Sequence, residues 1–326
     1  MVTGGAGYIG GVVADRLLRG GHEVFVLDNL SKGTRQSVPK AAEFILADTG
    51  DEVTLDRVFR DGAFDAVMHF AAFIEVGEST RLPEIYFDNN SCKTLTLLRM
   101  LVKHGVSRFV FSSTAAVYGE PKTLPITEDH PLDPTNPYGE SKRFVERMLA
   151  SFHRAHGLRY AALRYFNAAG ALPGRGEAHQ PETHLIPLVC RAALDQQKSI
   201  SIYGTDYPTK DGTCIRDYVH VADLAAAHVL ALENLAERSE IICNLGSETG
   251  FSVREIIEVT RRITGRDIRV MEGPRRLGEA AVLVASAQRA KRILGWNPEH
   301  YSIEAIVGSA WEWHHKSPRE DEPGLG

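Results

Sequence analysis

The 326-residue sequence has no long apolar run, few cysteines and no excess of basic charge. Each absence removes a class of function. No stretch approaches the ~18 consecutive apolar residues that a membrane-spanning helix needs. The opening residues, MVTGG, lack the basic and apolar regions of a secretory leader. Lysine and arginine number 37 against 42 acidic residues, a formal charge of −5. That balance leaves no footprint for nucleic acid or for an anionic membrane. The four cysteines, Cys92, Cys190, Cys214 and Cys243, show no metal-ligand spacing and read as reduced thiols of a cytoplasmic protein. The thirteen histidines, His179, His184, His314 and His315 among them, form no ligand set with cysteine or carboxylate, so no metal is expected. Repeats and low-complexity linkers are also missing.

What is present is an ordinary globular composition, 43% hydrophobic and 24% charged, with length for about two domains. Residues 1–3 form a short apolar strand that runs into Gly4, Gly7 and Gly10. A helix follows through Val12, Val13, Leu17 and Leu18, and a second strand over 23–27 ends at Asp28. Glycines allow a tight turn and close backbone approach, and the helix N-terminus then faces a pyrophosphate. An acid about 20 residues beyond the glycines accepts the ribose hydroxyls. Asp28 stands there and repels a 2′-phosphate, which points to NAD over NADP. About three residues precede the glycines, the length of a strand that lacks its first residues and pairs weakly.

Strands and helices go on alternating. Strands are expected over 43–46, 66–69, 108–112 and 159–164, with helices over 51–60, 83–104 and 138–156. This pattern predicts an α/β fold: a doubly wound parallel (Rossmann) sheet with helices on both faces. Asp48 ends one strand as a candidate adenine contact, and the small residues after another strand, Phe70, Ala71 and Ala72, let a cofactor lie close. On the 83–104 helix, Leu95, Leu97, Leu98, Leu101 and Val102 cover more than one stripe. Such width marks either a dimer contact or deep burial. Beyond Asn167 the texture changes to a Gly- and Pro-rich loop over 168–183, as found over binding sites. Shorter elements follow: helices over 185–195 and 221–235, strands over 199–203 and 241–244, and a helix opening on the capping box Ser252/Glu255. The tail from Lys316 is polar and expected to fray. Residues 1–166, joined again by about 205–235, are expected to form the NAD-binding domain. Residues 167–204 and 236–326 would make a smaller mixed α/β domain that closes over a sugar.

Tyr138 and Lys142 are four residues apart behind Pro137, at the head of a helical segment. On a helix they share one face, one turn apart. An ammonium beside a phenol favours the phenolate, and a phenol lowered toward neutrality is a general acid/base. Alone, this spacing is common on solvated helices. Here Ser112, Ser113 and Thr114 stand upstream at the carboxyl end of a strand, where open parallel sheets bind ligands.

These residues sit in longer motifs: TGGAGYIG at 3–10, HFAA at 69–72, VGES at 76–79, SSTAAVYG at 112–119, PYGESK at 137–142 and LRYFN at 163–167. YGTDYPTKDGT at 203–213, RDYVHVAD at 216–223 and PRR at 274–276 continue the set. Across nearly its whole length the chain resembles the extended short-chain dehydrogenase/reductase family, in its branch of nucleotide-sugar 4-epimerases. The resemblance implies an NAD-dependent isomerase that interconverts UDP-glucose and UDP-galactose, working as a homodimer. By that resemblance Tyr138 is the acid/base, Lys142 lowers its pKa and holds the nicotinamide ribose, and Thr114 bonds the sugar 4-hydroxyl. The cofactor would lie against Gly4, Gly7, Tyr8, Ile9 and Gly10, with Asp28 and Asn29 at the adenosine ribose and Asp48 at the adenine. Phe70, Ala71, Ala72, Asn89, Ser112 and Tyr165 complete its pocket. On the substrate side, Asn167, Arg216 and Arg276 would hold the diphosphate and Tyr203 would pack on the uracil, with His184, Leu185, Glu279 and Leu283 alongside. Arginine suits a pyrophosphate because it offers paired donors and a permanent charge.

Some positions depart from the family pattern. Residues 91–94 read SCKT, where a glycine usually precedes the threonine, and 73–75 read FIE, unlike the enterobacterial form. Glu279, Ala281 and Ser286 replace Asp, Pro and Asp, and Ser286 puts a local helix start in question. Leu283, of middling bulk, leaves N-acetylated sugars open. A 4,6-dehydratase needs an Asp-Glu pair where Ala115 and Ala116 stand, and a decarboxylase needs the same glutamate. The rivals that remain are a 4-epimerase of a pentose, uronic acid or N-acetylhexosamine nucleotide and a non-catalytic NAD-binding regulator. Regulators typically lose the tyrosine or the lysine, and both are present.

Overall fold

A computed structural model describes residues 1–178, 180–195, 199–276 and 279–316; His179 and the tail beyond Lys316 lie outside the described residues. Six strands come first: β1 (Val2–Thr3), β2 (Phe25–Asp28), β3 (Glu43–Leu46), β4 (Val67–His69), β5 (Arg108–Thr114) and β6 (Arg159–Tyr165). All pair in parallel, in the order β6-β5-β4-β1-β2-β3. The chain therefore winds outward from β1 in both directions. The crevice where the winding reverses lies between β1 and β4, the place where such sheets bind ligands.

Period-two alternation divides the strands between two cores. Val26, Met68, Val110 and Ala161 face the helices Tyr8–Arg19 and Val221–Asn234. Leu27, Val67, Phe109, Phe111 and Ala162 face the helices Glu52–Asp61, Lys93–Lys103 and Pro137–His156. Both faces are covered, which is why the strands read as apolar runs. Leu97, Leu98 and Leu101 are wholly buried in the second core, so deep burial accounts for most of the wide apolar face; Leu95 is 39% exposed.

β1 is not weakly held. It is central, paired to β2 and β4, and Met1 extends it: the terminal amine donates to the Ala66 carbonyl at 2.9 Å and Met68 N–H donates to the Met1 carbonyl at 2.9 Å. The expected single helix over 83–104 is also altered. A π-helical segment, Phe87–Cys92, separates Pro83–Tyr86 from Lys93–Lys103. Such insertions carry an extra residue per turn and gather at functional sites.

The smaller layer contains β7 (Asn167–Ala169), β8 (Ile200–Tyr203) and β9 (Ile215–His220). β10 (Glu240–Leu245) departs from the expected division, because it pairs in parallel with β6 and adds a seventh strand to the large sheet. The helix Gln288–Leu294 packs against it. In turn β9 pairs with β7, β11 (Gly250–Ser252) and β13 (Val282–Leu283), so only its continuation, the helix Val221–Asn234, returns to the large sheet. β12 (Val270–Gly273) pairs with β8. The helices Leu185–Ala193, Val253–Thr264 and Ile303–Lys316 pack together around Ile186, Ile256 and Val307. The Ser252 capping box forms both of its bonds: Glu255 N–H to Ser252 Oγ at 3.0 Å and Ser252 N–H to Glu255 Oε2 at 2.8 Å. Ser286 caps nothing; the helix Gln288–Leu294 starts with Ala287 N–H donating to Glu248 Oε1 at 3.0 Å.

Candidate functional site: a dinucleotide cleft and a tyrosine-lysine pair

The glycine turn after β1 forms the floor of a cleft. Gly4 has φ of +71°, and a Cβ there would lie 2.4 Å from Ala71 N. At Gly10 a Cβ would lie 2.3 Å from the Gly4 carbonyl, so this glycine lets helix and turn close on each other. Gly7 caps the helix Tyr8–Arg19, whose first-turn N–H groups have no intrahelical acceptor and suit an anion. Gly4, Gly7, Asp28, Asn29, Asp48, Phe70, Ala71, Ala72 and Asn89 line this one cleft. Asp28 Oδ2 accepts from Ala6 N–H at 3.0 Å and Oδ1 from Leu30 N–H at 2.8 Å. Each oxygen keeps a lone pair for a diol. Asp48 accepts from Asn29 Nδ2 at 2.8 Å, Lys93 Nζ at 2.9 Å and Gly50 N–H at 2.7 Å. Burial alone would raise its carboxyl, but these partners hold it below the usual range. A side-chain-free floor, free helix amides and an acid at the far rim fit an adenine dinucleotide.

At the other end of the crevice, β5 meets the helix Pro137–His156. Asn136 caps that helix by accepting from Gly139 N–H at 2.9 Å, and Pro137 occupies its first turn, where no N–H is needed. Tyr138 and Lys142 thus fall on one face. Lys142 Nζ donates to the Ser112 carbonyl at 2.8 Å, and the Ser112 hydroxyl shares a very short bond with the Tyr165 hydroxyl. Thr114 accepts from Ala116 N–H at 3.1 Å and lies close enough to the Tyr138 phenol to act on its charge. Ser112, Thr114, Tyr138, Lys142 and Tyr165 therefore form one cluster.

Its electrostatics differ from the expectation. The Tyr138 phenol is raised above its usual value: burial dominates, the Thr114 hydroxyl opposes it, and Glu75 adds to it. Burial pulls Lys142 down to about 7. No carboxylate neighbours the ammonium closely enough to restore it, and desolvation penalises both charged forms.

On the smaller layer, Arg216 Nη2 pairs with Glu279 Oε1 at 3.1 Å, and Leu283 lies in register with Arg216 across β13 and β9. The Arg276 guanidinium lies 4.1 Å from the centroid of the Tyr203 ring, and Asn167 Nδ2 donates to the Asp217 carbonyl at 2.8 Å. Leu283 packs against the cluster that contains Ala115 and Phe166.

Residues 1–246 match the NAD dependent epimerase/dehydratase family. The chain belongs to that family. It is similar to the UDP-glucose 4-epimerase of Streptomyces lividans, 52% identical over 320 residues that cover 98% of this chain and 97% of the relative. Among solved structures, one titled as the crystal structure of UDP-glucose 4-epimerase superposes with a TM-score of 0.95 at 46% identity, covering 99% of both chains. The UDP-glucose 4-epimerase of Bifidobacterium longum, in complex with NAD+ and UDP, superposes with a TM-score of 0.93 at 39% identity, covering 97% of this chain and 98% of that one.

Within this family site, some expected residues fall elsewhere. Tyr8 directs its hydroxyl to the Gly170 carbonyl at 2.5 Å and lines a small separate cavity with Glu177, His184 and Trp313. Ile9 packs into the first core, so neither side chain lines the cleft. His184 bonds Glu182 Oε1 at 2.9 Å, and Leu185 packs among the helices of the smaller layer. Neither side chain joins Arg216 and Arg276. The sequence showed no ligand-like set of histidine and carboxylate, yet the 168–183 loop folds Glu177, Glu182 and His184 within 4.8 Å of one another. Lys32, Gly33 and Phe73 also line the cleft and were missed. Their nearness to Asp28 and Ala72 in the chain was the available signal. The buried pair of Arg164 and Glu146 carried none.

Proposed function

We propose that this protein interconverts UDP-glucose and UDP-galactose by inverting carbon 4 of the sugar, with NAD retained throughout. The observation that carries the proposal is the grouping of half-buried Tyr138 with buried Thr114 and Lys142 where β5 meets the helix Pro137–His156, in the same fold as the glycine-floored cleft. Similarity to UDP-glucose 4-epimerases over nearly the full chain supports the same reading. Bound NAD would supply a reversible hydride acceptor. Tyr138 takes the 4-hydroxyl proton and Thr114 aligns that hydroxyl; burial raises the phenol on its own, so a Lys142 ammonium one helical turn away and the positive charge of bound NAD+ would together favour its phenolate. Loss of hydride leaves a 4-keto sugar, which turns about its bond to the diphosphate and regains hydride on its other face. Asn167, Arg216 and Arg276 anchor the diphosphate during that turn, Tyr203 stacks with the base, and Leu283 bounds the sugar. Ala115 and Ala116 provide no acid/base pair for dehydration. The exposed Leu95 and Phe144, on two helices that pack together, suit a homodimer contact, and four unbridged cysteines suit a reducing cytoplasm. No described helix is long and apolar enough to cross a membrane.

The test is to incubate the purified protein with UDP-galactose, without added cofactor, and to follow UDP-glucose by chromatography. Tyr138→Phe should lower turnover by roughly 10²- to 10⁴-fold, the usual contribution of a general acid/base, with bound NAD unchanged. Unchanged turnover per bound NAD would remove Tyr138 from the mechanism.

A further inference from the structure

Lys32 and Glu75 form an ion pair with Nζ 2.7 Å from Oε1. Lys32 follows β2 and Glu75 follows β4, and these strands flank β1 on opposite sides. Strands in a sheet are spaced about 4.8 Å apart, so the two loops leave the sheet roughly 10 Å from each other. The glycine turn after β1 lies between them. The ion pair therefore ties together the two loops that flank that turn, and Lys32 and Phe73 of those loops line the cleft.

Glu75 is not a mobile surface partner. It is 7% exposed, and its Oε2 accepts from Ile74 N–H at 3.2 Å and lies 3.2 Å from the Tyr86 hydroxyl. That hydroxyl also donates to the Glu75 carbonyl at 2.8 Å, and Tyr86 is fully buried. The Glu75 carbonyl further accepts the N–H groups of Glu78 and Ser79 as the short helix Val76–Ser79 begins. One arm is thus rigid. The other, Lys32, extends along the cleft wall with its ammonium 5.7 Å from the centroid of the Phe73 ring.

We propose that the Lys32–Glu75 pair is a clasp across the mouth of the dinucleotide cleft that slows departure of the cofactor. The inference rests on the reading of the cleft as an NAD site. A reaction with no net oxidation must return hydride from the same cofactor molecule, and a clasp serves that need. Because one partner is buried, the pair escapes the near-zero value of fully solvated ion pairs.

The experiment loads the full-length protein with labelled NAD and follows release in a chase with excess unlabelled NAD. Lys32→Met and Glu75→Gln should each speed release roughly three- to tenfold, the kinetic equivalent of a partly shielded ion pair. The double variant should be no faster than the faster single. Lys32→Arg, which keeps the pair, should restore slow release, and added salt should speed the wild type more than the variants. Because Lys32→Met leaves the Glu75–Tyr86 contacts in place, it stays decisive if Glu75→Gln folds poorly. Normal NAD uptake with wild-type release in Lys32→Met overturns the clasp alone. Fast release in Lys32→Met with unchanged release in a folded Glu75→Gln also overturns it, since Lys32 would then act directly on the cofactor. A wild type that takes up no NAD overturns the cofactor reading and the clasp together.

Discussion

Replacing Arg164 alone should be among the most damaging single changes outside the cluster itself. Arg164, on β6, grips Glu146 of the helix Pro137–His156 through two bonds, Nη2 to Oε2 at 2.6 Å and Nε to Oε1 at 2.9 Å. Both residues are buried. The Ser113 hydroxyl donates to the same carboxylate at 2.6 Å, and Arg164 Nη1 donates to the Tyr118 hydroxyl at 2.9 Å. Tyr118 in turn donates to Asn244 Oδ1 at 2.7 Å on β10. Tyr138, Lys142 and Glu146 follow one another at four-residue steps, so the pair fixes the face that carries Tyr138 and Lys142. Arg164→Met strands a buried carboxylate, which costs about 3–5 kcal/mol; Glu146→Leu strands a buried guanidinium at similar cost. A domain is stable by only about 5–15 kcal/mol, so either single variant approaches unfolding. The double variant should recover most of the loss, because desolvating two charges offsets much of their attraction. Urea unfolding of the four proteins, followed by circular dichroism, closes the cycle. Single losses below about 1 kcal/mol, or a double loss equal to the sum of the singles, would refute the reasoning.

Three further outcomes follow from local geometry. Gly4→Ala forces an alanine to φ of +71° and sets its Cβ against Ala71 N. It should lose at least about 1–2 kcal/mol and shed NAD; a thermal-shift assay with wild-type values in both states contradicts this. Arg216→Ala should weaken UDP-sugar binding roughly 10- to 100-fold, the worth of a charge-assisted hydrogen bond, with NAD content unchanged. Calorimetry with wild-type affinity for UDP would remove Arg216 from the diphosphate site. Burial lowers His69 to about 3 and His220 and His228 to about 4. Their folded pKa values lie below the unfolded value of about 6.5, so their stabilisation is complete above that pH and is lost as pH falls toward 4 and 3. Unfolding near pH 5 should take up close to three protons from these residues, and flat stability between pH 6.5 and 4.5 would count against it.

The features legible in the sequence are those written in short stretches of chain. The glycine turn with Asp28 behind it, the Ser252 capping box, and the spacing of Tyr138 from Lys142 each depend on neighbours within a turn or one strand-helix unit. The alternation of apolar strands and helices settled the doubly wound sheet for the same reason. What joins distant chain was not legible. Nothing local to 240–245 says that it pairs with β6, since a short apolar strand suits an edge of either sheet. Lys32 and Glu75 meet only because β1 separates the strands that carry them. Glu177, Glu182 and His184 meet only because their loop folds back, and the apolar breadth of Lys93–Lys103 is absorbed by partners such as Leu55 and Val145. The clearest case is the Tyr138 phenol. Its spacing from Lys142 predicts a lowered pKa, yet enclosure by the whole fold raises it and draws the lysine down to about 7. Helical spacing sets which groups are neighbours; the solvent they lose is decided by every segment packed around them.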